Sequence, residues 1–251
     1  MTKNAAISWD YSDRAATYEH RADYDITAIN RLLQHVGEPH LARAADIGAG
    51  TGKLTRPLLT AGMAVVAVEP NPNMRAVAAH IPANADALWI AGQAEQLPLR
   101  SNSFDLACFG SSFNVVHAAQ ALAEVARILK PNSVLALLWN HRDLSDPLQV
   151  AIEAVIRSHI PDYAHGSRRE DPSAIVVATT QFVAVDSFRS AFQITTHRDH
   201  FLAAWRSHAT LARAAKSELE RVMKSIADLV PQGDFSVPYS TALWVFRKRF
   251  A

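Results

Sequence analysis

A chain of 251 residues, 49% hydrophobic and 20% charged, is long enough to bury a full core as one domain. Its formal net charge of +1 gives no long-range pull toward nucleic acid or an anionic membrane surface. The single cysteine, Cys108, excludes a disulfide framework or a cysteine-based metal site within one chain, and no apolar run approaches the ~20 residues of a membrane span. The opening "MTKNAAISWDYSDR" lacks the apolar segment of a signal peptide, so the expectation is a soluble cytoplasmic protein.

Short, nearly continuous apolar runs then follow in order: "AADIG" (44–48), "AVVAVE" (64–69), "ALWIAG" (87–92), "FDLACFG" (104–110) and "SVLALLWN" (133–140). Runs of this kind are strands buried on both faces of a parallel sheet. Helical stretches fall between most of them. In "AAQALAEVARILKP" Leu122, Val125 and Leu129 share one face, and Pro131 is expected to end the segment. This rhythm implies right-handed crossovers and a doubly wound α/β sheet, whose ligands bind beyond the carboxyl ends of the strands, beside the first. After the fifth run a helix opens near Ser145 or Asp146 with Pro147 at its first position, and the loop "YAHGSRRED" follows. The stretches "RDHFLAAWRSHATL" and "ARAAKSELERVMKSIADLV" read as a pair of helices, the second with Leu219, Val222, Ile226 and Leu229 in one apolar stripe. The final "FSVPYSTALWVFRKR" alternates as a closing strand.

The stretch "DIGAGTG" (46–52) stands at the end of the first strand. A dinucleotide fingerprint would need a third glycine where Lys53 stands, and Asp46 would repel a pyrophosphate. A P-loop fails on its glycine-to-lysine spacing. The loop therefore suits a nucleotide-like ligand without phosphates. "ADIGAGTGKLTRPL" resembles the first motif of the class I S-adenosylmethionine-dependent methyltransferases, and "VVAVEPNPNM" is similar to the second, Glu69 following Asp46 by 69 − 46 = 23 positions. "AGQAEQLPLRSNSFDLA" resembles the third motif and fourth strand, and "ALAEVARILKPNSVLALLWN" the helix and strand that follow.

The resemblance implies a Rossmann-like, doubly wound seven-stranded sheet with an antiparallel last strand and helical cap insertions, strand six lying near "VDSFRSAFQITT". It implies one domain over 1–251, a cofactor-covering segment in 1–30 and cap segments in 141–175 and 197–230. The implied cofactor is S-adenosyl-L-methionine, leaving as S-adenosyl-L-homocysteine, with no metal. Glu69 would take both ribose hydroxyls, and Asp46, Gly48, Gly50 and Gly52 would shape the loop against the cofactor. Gln93 and the Ala94 amide would meet the adenine edge, while Met74 either lies on the adenine face or simply packs. Pro70 and Glu95 in the same motifs, and Ser111 and Phe113 just after the fourth strand, are further candidate cofactor contacts. Tyr18 and Arg21 would face the cofactor from the N-terminal segment, Arg21 either holding the methionyl carboxylate or standing in solvent.

Methyl transfer needs alignment and exclusion of water, with a base when the acceptor is a hydroxyl. Asn114 stands where relatives often carry histidine, His117 lies one helical turn on, and His141 directly follows the fifth strand; each histidine is either catalytic or a surface or helix-start residue. Tyr11, Asn140 and Arg142 are candidate acceptor contacts, as are Tyr163, His165, Arg168 and Arg169 in the loop and Arg206 and His208 in the inserted helix. The adjacent loop arginines either stand in solvent or hold a carboxylate or phosphate of the acceptor, Arg168 or Arg169 acting together with Arg206. The leading expectation is methylation of a small polar metabolite, natural-product precursor or sugar-like compound, with no nucleic-acid or membrane partner and no oligomeric state specified. Asp143, Asp146, Glu153, Asp162 and Glu170 offset the basic residues and argue against a phosphate-tracking groove. An RNA or protein methyltransferase and a non-catalytic cofactor-binding protein are the other readings.

Overall fold

The computed structural model describes residues 15–164 and 167–250. The five apolar runs are strands, β1 (Arg43–Ile47), β2 (Ala64–Val68), β3 (Leu88–Ile90), β4 (Phe104–Gly110) and β5 (Leu129–Arg142), and two longer strands, β6 (Phe182–His197) and β7 (Asp234–Lys248), complete one sheet. Its order is β3-β2-β1-β4-β5-β7-β6. The first five strands pair in parallel, and β7 runs antiparallel to both β5 and β6. From β1 the chain winds outward first one way and then the other, so a crevice forms past the carboxyl ends of β1 and β4.

Ten helices surround the sheet: α1 (Ala15–Tyr18), α2 (Ile26–Val36), α3 (Thr55–Thr60), α4 (Pro72–Ala79), α5 (Ala118–Ile128), α6 (Pro147–His159), α7 (Ser173–Val177), α8 (Arg198–Arg206), α9 (Ala209–Ala215) and α10 (Leu219–Leu229), counted among the described residues. One sheet face packs Ala44, Val65, Leu106 and Leu138 against Ile29 and Leu32 of α2 and Leu58 of α3. The opposite face packs Ile47, Val66, Phe109 and Leu137 against Leu122 and Val125 of α5. With both faces covered, alternation has no role in the central strands, which explains why they read as unbroken apolar runs. A third apolar cluster unites α6, α8, α9 and α10 through Ile152, Phe201, Trp205, Leu211, Val222 and Ile226, and rests on Val237 and Tyr239 of β7. This cluster is the cap, standing beyond the end of β5.

Three local expectations are corrected. The helix before β5 stops at Ile128, where Leu129 turns extended, and Pro131 lies inside β5. Its missing N–H does no harm there, because the β4–β5 register is interrupted between the Phe104–Leu129 and Leu106–Val134 pairs. The inserted pair of helices is three: the chain breaks at Ser207–His208 and again at Lys216, whose φ of 48° is left-handed. In α10 Val222, Met223 and Ile226 are buried whereas Leu229 is 37% exposed, so the buried stripe is rotated toward Met223.

Candidate functional site

A cavity of about 580 Å³ opens past the ends of β1, β2 and β4. Its floor is the glycine loop. The amides of Gly48 and Ala49 donate to the Val68 carbonyl at 2.8 and 3.1 Å, folding the loop back over β2. Gly50 has a φ of 58° and borders the cavity, and a β-carbon there would meet only the Tyr18 ring, at an ordinary contact distance of 3.8 Å. Gly48 also borders the cavity, but a β-carbon on it would strike the Ser112 side chain at 2.7 Å. Gly52 faces the Asn84 carboxamide instead of the cavity, so its requirement comes from packing and from its left-handed φ of 93°.

Glu69 follows β2 and is 7% exposed. Its two carboxylate oxygens accept from the backbone amides of Gly50 and Asn71, both at 2.8 Å. Burial raises its pKa, and these two donors oppose the rise. Each oxygen keeps lone pairs for a ligand, so one fixed carboxylate can accept from two adjacent hydroxyls. Asn71 caps α4 by accepting from the amides of Asn73 and Met74, which sets Met74 on the cavity wall. Pro70, Gln93, Ala94 and Glu95 line the same cavity. Glu95 also accepts from the His117 amide at 2.7 Å and so fixes the start of α5. Phe113 is corrected to a core residue, edge-on to Phe109 with ring centres 5.3 Å apart; Val115 and Val116 form the wall beside it.

A second, smaller cavity of about 100 Å³ lies under the cap and adjoins the first. Tyr18, Gly110 and Ser111 line both. Ser111 holds a left-handed φ of 60°, and its hydroxyl shares a hydrogen bond with that of Tyr24 at 3.0 Å. A strained non-glycine residue at a junction of cavities is a mark of a working position. Asp46 reaches this second cavity rather than the first. It is fully buried, accepts from the Thr55 hydroxyl at 2.7 Å, and burial pushes its pKa up to about 7.

The sequence candidates divide among three fates. Asn114, held by the Trp139 indole N–H at 3.1 Å, and His141 line the second cavity, whereas His117 caps α5 and lines the first. Tyr163, Arg142, Arg168, Arg169 and His208 also line the second cavity, although Tyr163 is a buried wall residue, not an exposed loop residue. Arg142 stacks on Trp205 with 4.0 Å from guanidinium carbon to ring centre and donates to His208 Nε2 at 3.2 Å. Arg21 is drawn to the second cavity too: it donates to the Ser207 hydroxyl at 2.7 Å and carbonyl at 2.6 Å and lies over the Tyr18 ring.

Two acceptor-contact candidates are corrected. Asn140 lines the second cavity, but its carboxamide is engaged elsewhere, donating to the carbonyls of Ala22 and Asp23 while its oxygen accepts from Thr241. Arg206 pairs with Glu220 at 2.6 Å on the outer face of α8, because its neighbour Trp205 takes the inner one. Tyr11 and His165 lie outside the described residues. The sequence reading missed Tyr24, Trp139 and Trp205, for which no local pattern existed. Among the described residues no three His, Cys, Asp or Glu side chains come together as a metal site, and no helix is long and apolar enough to cross a membrane.

Residues 45–137 match the family model described as a methyltransferase domain. An uncharacterized methyltransferase of Mycobacterium tuberculosis is 40% identical over 139 residues, 55% of this chain and 54% of that protein. A demethylmenaquinone methyltransferase of Renibacterium salmoninarum is 32% identical over 146 residues, 58% of this chain and 60% of its own length. The chain thus matches little more than half the length of these relatives. Among solved structures, a candidate type II methyltransferase from Anaeromyxobacter dehalogenans superposes with a TM-score of 0.64, covering 91% of this chain and 97% of that one at 16% identity, a likeness of fold.

Proposed function

We propose, from the match of residues 45–137 to a methyltransferase domain and the resemblance of its motifs to S-adenosylmethionine-dependent methyltransferases, that this chain moves a methyl group from S-adenosyl-L-methionine to a small polar molecule in the second cavity. The observation that carries this reading is the pair of adjoining cavities with Tyr18, Gly110 and Ser111 common to both. Glu69 would accept from both ribose hydroxyls, Gln93 and the Ala94 amide would meet the adenine edge, and Met74 would cover the ring face, all four lining the first cavity. When bound, the cofactor supplies a sulfonium whose methyl group is already activated. The chain's own contribution is alignment and dryness.

The acceptor lies under α6, α8 and α9, with Trp139, Trp205 and Tyr239 excluding water. Asn114 lines the cavity with its oxygen engaged by Trp139, so its amide group is left as a donor to the acceptor. His141, buried at the end of β5, is the group placed to take a proton when the acceptor is a hydroxyl. The walled second cavity favours a small molecule over RNA or protein. Incubating the chain with S-adenosyl-L-methionine and fractionated metabolite extract tests this, with mass spectrometry reading the gain of one methyl group. The expected result is a species that gains a methyl only with chain and cofactor both present. Cofactor binding without any methylated small molecule contradicts the proposal.

A further inference from the structure

The second cavity carries more positive charge than methyl transfer requires. Arg21, Lys53, Arg142, Arg168 and Arg169 line it, against the carboxylates Asp46 and Glu153. Lys53 is answered outside the cavity by Asp23 at 2.8 Å. Glu153 acts on Arg169 inside the cavity and on Arg157 at 3.8 Å, so it offsets one of the arginines, and burial holds the Asp46 proton in place up to near neutral pH. Four guanidinium groups therefore stand against little compensating charge.

The groups that hold them are mostly neutral. Arg21 is held by Ser207 and the Tyr18 ring, Arg142 by His208 and the Trp205 ring, and Arg169 donates to the Arg142 carbonyl at 3.0 Å. These contacts orient the guanidinium groups without neutralising them. Arg168 is half-buried, and among the described residues no group accepts a hydrogen bond from it or pairs with it. Burial, with Arg21, Arg142 and Arg169 adding to the effect, pulls its pKa down to about 10. A guanidinium in such surroundings gains more from an anion than one in water, and its planar fork fits a carboxylate or phosphate by two parallel hydrogen bonds. A cationic acceptor would meet repulsion from several sides.

We infer that the second cavity takes a small acceptor bearing a carboxylate or phosphate, seated on Arg168 with Arg142 and Arg169 behind it. This rests on the reading of that cavity as the acceptor site. The anion seat belongs to the cap side, since Arg142, Arg168 and Arg169 line only the second cavity while Gly110 and Ser111 border both. Orientation follows: the charged group anchors the molecule at the cap.

Calorimetric titration of the chain saturated with S-adenosyl-L-homocysteine tests the inference without any turnover. Succinate and inorganic phosphate are the two anionic probes, and dimethyl succinate is the uncharged control. Binding of succinate, phosphate or both is expected, with the control silent, and the probe that binds identifies which anion the seat reads. Arg168→Met should weaken the bound probe about tenfold or more, the scale of hydrogen bonds to charged groups, and Arg168→Lys should restore part of it. Arg169→Gln supplies a second variant if Arg168→Met does not fold. S-adenosyl-L-homocysteine affinity should be the same in every folded variant. Failure of both anions to bind the parent, equal binding of the uncharged control, or unchanged probe affinity in the folded Arg168 and Arg169 variants overturns the inference. Failure of S-adenosyl-L-homocysteine to bind the parent would instead strike the cofactor assignment, and the anions are then titrated into the chain alone with the same expected and overturning results.

Discussion

Asp46 shows how one buried carboxyl links the site to stability. Its pKa is about 7 in the folded chain against 3.8 for a free carboxyl, with burial as the main cause. The folded state therefore holds the proton more tightly than the unfolded chain. The resulting stabilisation is fully present below the unfolded value and is lost as pH rises from about 4 to about 7. Asp46→Asn keeps an oxygen to accept from Thr55 and removes the titration. It should unfold at a higher temperature than the parent at pH 8, with the difference closing toward pH 4. Thermal unfolding across that range checks this, and a difference independent of pH would mean that Asp46 titrates as an ordinary carboxyl. Gly50 carries a different constraint. Alanine at its φ of 58° costs about 1–2 kcal/mol in strain and also projects a methyl into the cofactor cavity. Gly37→Ala, at a φ of 89° with no atom within 4 Å, suffers comparable strain alone. Calorimetry should find weaker S-adenosyl-L-methionine binding in Gly50→Ala and unchanged binding in Gly37→Ala. Equal affinity in both would confine Gly50 to a role in the turn.

Elements whose signals are local were legible, and those fixed by packing were not. Asp146 followed by Pro147 is a helix start that short-range sterics and one side-chain bond dictate, and α6 begins there with Asp146 accepting from the Gln149 amide at 3.1 Å. Asp146→Ala should cost about 1 kcal/mol, lowering the melting temperature by roughly 2–4 °C. A melting temperature equal to the parent's would remove the cap from the account. Glu69 was legible through the resemblance of "VVAVEPNPNM" to a family motif in which an acidic residue closes the second strand, and Glu69 does follow β2 on the wall of the first cavity. Arg206 was not, since the face α8 turns inward depends on Trp205 packing beneath Phe201. Nor was Asn140, whose amide looks free in sequence but fastens the chain at Ala22 and Asp23. The tie between Arg21 and Ser207, separated by 186 positions, is likewise invisible locally. It joins the segment after α1 to the end of α8. Arg21→Leu should therefore speed amide hydrogen exchange over 18–25 and 203–208, and unchanged exchange in both would show that the tie adds nothing.

The whole molecule reads as one sheet that fixes two adjoining chambers. The order β3-β2-β1-β4-β5-β7-β6 opens a crevice beside β1, and the long β5 and β7 carry the cap beyond it. The formal net charge of +1 gave no hint of the arginine cluster, because Arg21, Arg142, Arg168 and Arg169 come from distant parts of the sequence and meet only in the fold. Net charge reports the average, and the site depends on a local excess. The central claim is that the first cavity binds the cofactor through Glu69. Calorimetric titration with S-adenosyl-L-methionine of the parent and of Glu69→Ala tests it most directly, each shown folded by its thermal transition. One cofactor per chain is expected for the parent, with a loss of about 2–3 kcal/mol, some thirtyfold or more, in the variant. No binding by the parent, or equal affinity in the two, would contradict the account.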